Sequence, residues 1–443
     1  MYRKSLADIE KWNLSNPRKP LILMGARQVG KTWLMDEFSR LHYPQDTVKV
    51  NFMTNERLRE QFESINLDAQ TVLETLGIET GRKIVAGKTL LVMDEIQESP
   101  RALTCLKFLH EQVPELAVMV AGSLLGLAVN RKKRKKDESR ASFPVGKVSF
   151  IDVPPMTFGE FLLAVGEEMK YEQIVQRNWK ALESFHQAYE DLLKRYFFVG
   201  GMPEAVVTYV KTRDMADVRL THQEILAAYD ADFAKHASGA LLAKIRLLWN
   251  SIPSQLAKEN KKFIYTALRP GARAREYEVA LQWLDDAGMI RQVCGVSTPK
   301  MPLKAYEEFG AFKLYAHDVG LVAALASLPQ QALLGGNAIF THFKGALTEQ
   351  YVLQELTAMG MSPFYWSPDN VRAEVEFVLQ GATGVYPLEA KAERNLKAKS
   401  LKSYRDRFRP SVCLRTSMAK RTEGESVHDY PLYAIETIAD EIV

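Results

Sequence analysis

Residues 25–32 read Gly25-Ala26-Arg27-Gln28-Val29-Gly30-Lys31-Thr32 and fill the pattern G-x-x-x-x-G-K-[ST] at every fixed position. At average glycine usage, a chance match in a chain this long arises about one or two times in a hundred. The apolar run Leu21-Met24 leads in and the helix-like stretch Trp33-Phe38 leads out. Strand, glycine loop and helix in that order make a cradle for an anion. Glycines let the backbone turn so that several N–H groups face one point, and the helix adds its positive end. Lys31 reaches toward β- and γ-phosphates, and the Thr32 hydroxyl is short enough to ligate Mg²⁺.

A second run, Leu90-Leu91-Val92-Met93-Asp94-Glu95, is an apolar strand that ends in two acids. A strand covered on both faces cannot hold acids within its length, but its C-terminal tip faces the ligand crevice of an open α/β sheet. Asp94 there holds Mg²⁺ through its water shell, and Glu95 orients and polarises the attacking water. The strand Ala117-Val120 leads to Gly122-Ser123, where Ser123 is a candidate to sense the γ-phosphate, with a plain turn serine as the other reading.

At about 150 residues per domain, 443 residues make roughly three domains. Hydrophobic residues at 47% and charged residues at 25% exclude a disordered chain, a collagen and a coiled-coil rod. Lys plus Arg is 58 against 54 Asp plus Glu, an excess too small to argue for nucleic acid by itself. Cys105, Cys294 and Cys413 are odd in number and far apart, with no CxxC and no disulfide framework. The histidines form no HxH or HExxH pattern, so no zinc site is expected. The start, MYRKSLADIEKW, has no apolar core of a signal peptide, and the longest apolar run, Leu116 to Val129, is too short for a bilayer. These features predict a soluble, cytoplasmic protein without a membrane partner.

The short apolar runs Leu21-Met24, Val48-Phe52, Leu90-Met93 and Ala117-Val120 predict a parallel α/β sheet. Helical spacing follows over Phe158-Val165, Trp179-Phe198 and Asp217-Phe233, broken sharply at Gly200-Gly201-Met202-Pro203. Residues 240–300 read as helices, the turn Leu268-Arg275, the helix Glu276-Ala287 and the strand Met289-Val296, a winged-helix-like order. Later come a helix (Phe343-Met359), strands Ala373-Leu379 and Val385-Glu389, and a basic helix (Leu396-Phe408). Glu389 and Lys391 fall on one face of their strand, because side chains alternate with a period of two.

These residues together resemble the AAA-type P-loop ATPases. More narrowly, the chain is similar to a prokaryotic family of predicted ATPases whose C-terminal domain is related to restriction-endonuclease-like nucleases. The matching segments are GARQVGKT (25–32), LLVMDEIQ (90–97), AGS (121–123), SFPVGKVSF (142–150) and PPMTFGEFL (154–162). Further on they are GGMPEAV (200–206), KLYAHDVGL (313–321), KGALTEQYVLQEL (344–356), AEVEFVL (373–379) and PLEAKA (387–392). The resemblance implies an ATPase core over residues 1–165, a helical lid over 166–235, a winged-helix-like segment over 236–300 and a nuclease-like α/β domain over 301–443. It also implies ATP and Mg²⁺ as ligands. An AAA-type enzyme takes an arginine from a neighbouring subunit; Arg131, Arg134 and Arg140 are the candidates, and a homo-oligomer is the matching expectation.

At the C-terminal end, Glu349, Glu376, Glu389 and Lys391 are similar to a PD-(D/E)xK site. There acids hold a divalent metal and the lysine stabilises charge near the attacking water. One departure stands out: the family carries aspartate where this chain has Glu376. An active nuclease, a binding-only site and incidental charges are the three readings. The basic run Arg131-Lys132-Lys133-Arg134-Lys135-Lys136 reads as a solvated loop, a phosphate-backbone contact or a steering patch for acidic partners. Lys397, Lys399, Lys402, Arg405, Arg407 and Arg409 form a second basic set, and Arg269, Arg273 and Arg275 a third. Trp249, Trp283 and Trp366 are expected in the core rather than as base-stacking platforms. The expected function is Mg²⁺-dependent ATP hydrolysis whose cycle controls the C-terminal domain. The alternatives are an ATP-gated nuclease and a slow-turnover, nucleotide-controlled binding protein. The partner candidates are DNA, RNA and a protein.

Overall fold

The computed structural model describes residues 1–122, 143–258, 261–334, 341–368, 373–392 and 399–442. They divide into two compact units, Tyr2–Val153 with Asp286–Met289, and Pro154–Asp285 with Ile290–Val443.

The first unit is built on five parallel strands: β1 (Leu21–Met24), β2 (Thr47–Asn51), β3 (Leu90–Asp94), β4 (Ala117–Ala121) and β5 (Ser149–Asp152). Their order in the sheet is β2-β3-β4-β1-β5. Strands β3 and β4 are buried along their whole length, as apolar strands covered on both faces should be, with the single carboxylate of β3, Asp94, at its C-terminal tip. The edge strand β5 alternates between half-buried and exposed residues. The helices are started by local chemistry. Asn55 accepts from Leu58 N at 2.9 Å and Asp68 from Thr71 N at 3.0 Å, so each cap satisfies a helix donor that the first turn leaves unpaired. Ser99 caps the helix Pro100–Gln112, which opens on a proline that needs no donor.

In the second unit, a largely helical stretch leads into an eight-stranded mixed sheet of order β12-β13-β11-β10-β9-β8-β6-β7. Its strands are β6 (Ile290–Val296), β7 (Glu307–Ala316), β8 (Phe364–Trp366), β9 (Val375–Gln380), β10 (Val385–Ala390), β11 (Cys413–Ser417), β12 (Thr422–Glu423) and β13 (Val427–Pro431). The expected single helix Trp179-Phe198 is two, Trp179–Ser184 and His186–Val199, with the exposed Phe185 between them. The helix, turn, helix and strand expected over 240–300 are present in that order, and β6 continues into the larger sheet by pairing with β8 as well as β7.

A buried polar knot fixes this unit. Asp318 has no exposure; its carboxylate accepts from Gly201 N at 2.6 Å and from Leu321 N at 2.9 Å. Gln354 holds Val319 N at 2.9 Å and donates to the Tyr196 hydroxyl at 2.8 Å. The backbone passes so closely here that a Cβ on Gly201 would lie 2.1 Å from Met156 O. The GGMP and HDVG segments are thus two halves of one joint. Trp249, Trp283 and Trp366 are all buried, as expected. Among the described residues no helix is long and apolar enough to cross a membrane.

Candidate functional site

In the first unit, the sheet order puts β1 and β3 on either side of β4, so the glycine loop and the two acids leave strand tips on the same edge, one strand apart. Gly25 and Gly30 take positive φ angles of 128° and 95°. A Cβ on Gly25 would meet Val153 O at 2.4 Å, which reserves the position for glycine. The helix Lys31–His42 starts directly after Gly30, so its N-terminal donors point to the loop.

Lys31 is buried, and its ammonium donates to Gly25 O at 2.9 Å and Ala26 O at 2.7 Å. Burial pushes its pKa down to about 8, against the pull of Glu95, Asp94 and Asp152. Arg27 adds to the downward push. Thr32 Oγ1 donates to Asp94 Oδ2 at 3.0 Å. Burial raises the Asp94 carboxyl above its ordinary value, while the Thr32 bond works the other way. A hydroxyl and a carboxylate facing each other at this distance, beside a phosphate cradle, are the donor set that Mg²⁺ takes. The residues fit the ion.

Glu95 stands at φ 50°, a left-handed conformation that costs a non-glycine residue energy. Gln97 Nε2 donates to Glu95 Oε2 at 2.5 Å. Gln97, bonded to Glu95, and Asp152, whose charge acts on Lys31, are neighbours of the candidate site that sequence reasoning did not single out. Asp152 ends β5 in register with Met24, just before the loop. Ser123, Arg131, Arg134, Arg140 and the basic run 131–136 lie outside the described residues.

The second unit brings Glu349, Glu376, Glu389 and Lys391 together, with neighbours that the sequence did not announce. Lys391 Nζ lies 2.9 Å from Glu389 Oε1 and 3.5 Å from Glu376 Oε1. Glu349 pairs with Lys261, lies 3.7 Å from Lys313 Nζ, and accepts from the Tyr315 hydroxyl at 3.1 Å. Lys313 also pairs with Glu374. Burial raises the Glu376 carboxyl to about 7 against the pull of Lys391, with Glu349 and Glu389 adding to the rise. Burial also acts upward on Glu349, but Lys261 and Lys313 outweigh it and hold that carboxyl below its ordinary value.

A divalent metal fits this cluster poorly. Among the described residues no three acid, histidine or thiol side chains converge as a metal-holding group. On the other side, Glu376 and Glu389 each keep one buried oxygen without a partner, an open acceptor, while their other oxygens face the Lys391 ammonium. Elsewhere, Arg269 is taken up by Glu276 at 3.1 Å, while Arg273 and Arg275 are exposed. The helix Lys399–Phe408 buries Leu401 and Tyr404 and exposes Lys399, Lys402 and Arg407, with Arg409 exposed just beyond its end.

Residues 17–162 match the family model described as an AAA domain. Residues 190–332 match a domain of unknown function, DUF8612, and residues 344–435 match another, DUF4143. The stretch 17–162 therefore carries the sequence pattern of an AAA-type P-loop domain. No curated protein matches the chain. Among solved structures, the chain is similar to the Walker-type ATPase PABY2304 of Pyrococcus abyssi at 15% identity, covering 73% of this chain and 95% of that one, with a TM-score of 0.45. It is also similar to the Aeropyrum pernix ORC1 protein, solved in complex with DNA, at 16% identity over 75% of this chain and 95% of that one, with a TM-score of 0.29. Likenesses this slight decide neither fold nor function.

Proposed function

We propose that the protein hydrolyses ATP with Mg²⁺ and that the nucleotide cycle controls the C-terminal unit, which acts as a binding module. The observation that carries the hydrolytic reading is the joining of the Lys31 cradle, the Thr32–Asp94 pair and Glu95 at the tips of β1 and β3, which flank β4. Loop N–H groups and the helix end bind the phosphates, and Lys31 exchanges its two carbonyl partners for β- and γ-oxygens. Thr32 and Asp94 would hold Mg²⁺, which would neutralise charge on the phosphates. Glu95 accepts a proton from, and aligns, the attacking water. Supporting a nucleic-acid ligand for the C-terminal unit is the exposed basic set Lys402, Arg407 and Arg409.

Phosphate release by purified protein tests the first part. Lys31→Ala is expected to lose nucleotide binding and turnover together, and Glu95→Gln to keep ATP bound while hydrolysis stops. Turnover at the unmutated rate in both variants would remove the assignment. Replacing Lys402, Arg407 and Arg409 by glutamate tests the second part: the affinity for DNA or RNA, and its steepness with salt, should both fall. Binding that is unaltered by those changes would remove the basic helix from the interface.

A further inference from the structure

The acid cluster of the second unit is shared between two stretches of chain. All four carboxylates, Glu349, Glu374, Glu376 and Glu389, lie in the stretch that matches DUF4143. Two of the three lysines that face them, Lys261 and Lys313, lie in the stretch that matches DUF8612. Lys313 has 0% exposure, which a lysine tolerates only when its charge is matched. It is matched by Glu374 and Glu349, and its ammonium also lies 5.1 Å from the centre of the Tyr365 ring. Lys261 takes the other oxygen of Glu349. Lys391 spans Glu389 and Glu376.

Buried carboxylates need a cation, and two kinds can supply it. A divalent metal does so in a nuclease site. Here three ammonium groups face the four carboxylates, and a dication placed beside Glu349 would meet the like charge of Lys261 and Lys313. Nor is Lys313 placed to withdraw. It lies in β7, whose backbone is bonded to β6 from Ala316 to Phe312 and bridged to Lys262. Strand β6 pairs with β8, and β8 with β9, the strand of Glu376. Lys313, Glu376 and Glu389 therefore belong to one sheet, while the partners of Lys313, Glu349 and Glu374, reach it from the helix Thr341–Ala358 and from the residue just before β9.

We propose that Lys313 and Lys261, which the nuclease pattern does not include, take the place of a divalent metal beside Glu349, while Lys391 keeps the position of the motif lysine. The cluster is then a permanent, metal-free ionic core that fastens residues 190–332 to residues 344–435 and cuts no phosphodiester. This rests on the reading of the C-terminal unit as a binding module and gives that reading its physical cause.

The test uses full-length, nucleotide-free protein. Mn²⁺ is titrated calorimetrically into the unmutated protein and into Glu389→Gln. Cleavage of single- and double-stranded DNA and RNA is assayed with Mg²⁺ and with Mn²⁺. The expected result is the same isotherm in both proteins and no cleavage. Heat that disappears in Glu389→Gln, or cleavage that disappears in Lys391→Ala, overturns the proposal. In parallel, Lys313→Met should lower the thermal midpoint by about 5 °C or more, and adding Glu374→Gln, which removes the opposite charge, should recover part of the loss. A Lys313→Met protein that melts like the unmutated one also overturns it. If neither Lys313 variant folds, the difference between the metal isotherms of the unmutated protein and Glu389→Gln still decides. Phosphate release is measured on the same preparation, so a failed ATPase reading shows as lost turnover and leaves the metal result standing.

Discussion

ATP binding should weaken as the pH rises through 8, because the lysine of the loop changes charge there. Burial holds the free Lys31 ammonium at about 8, even with Glu95, Asp94 and Asp152 favouring the charged form and Arg27 opposing it. In the nucleotide complex, phosphate oxygens replace the carbonyls of Gly25 and Ala26 and favour the ammonium far more strongly. The bound state therefore keeps the proton that the free state loses. Binding takes up a proton, and affinity falls with pH above the free pKa. At pH 8 about half the free loops lack the proton, and at pH 9 about nine in ten. The affinity should then drop about tenfold between pH 7 and pH 9, equivalent to about 1.4 kcal/mol. Calorimetry in two buffers of different ionisation heat reads both the affinity and the proton count. The expected uptake is about half a proton at pH 8 and about 0.9 at pH 9. ATP binding that is flat from pH 7 to 9, with heats independent of buffer, would refute the claim that Lys31 is the titrating phosphate ligand.

Gln97→Ala removes the amide that holds Glu95, and should cut kcat about tenfold with KM unchanged, the signature of a lost positioning contact in steady-state phosphate release. Asp318→Ala leaves the buried Gly201 and Leu321 N–H groups unpaired and should cost about 3–5 kcal/mol in urea unfolding, with Asp318→Asn costing less. Gly201→Ala drives a methyl group into Met156 O and should lower the yield of folded protein sharply, as read by thermal melts and size exclusion.

The nucleotide site was legible because its parts are contiguous. Eight residues carry the loop, and the acids end an apolar run whose burial follows from composition alone. The long-range polar network was not legible. Lys313 sits inside the stretch Phe312-Lys313-Leu314-Tyr315, and a charge within a strand reads as an exposed position until Glu349 and Glu374 fold against it. The carboxylate and lysine of PLEAKA were found by strand period, yet period says nothing of the lysines that face them from another stretch. Asp318 and Gln354 carry no local pattern either; they matter because Gly200, Gly201 and Gly320 let the backbone close on them. The break at Phe185 escaped notice because apolar spacing continues on both sides of it.

Equilibrium titration of folded, full-length protein with ATP, with and without Mg²⁺, tests the central claim most directly. One saturable site, tightened by Mg²⁺ and lost in Lys31→Ala, is the predicted result. Absence of any heat with either ATP or GTP would contradict it.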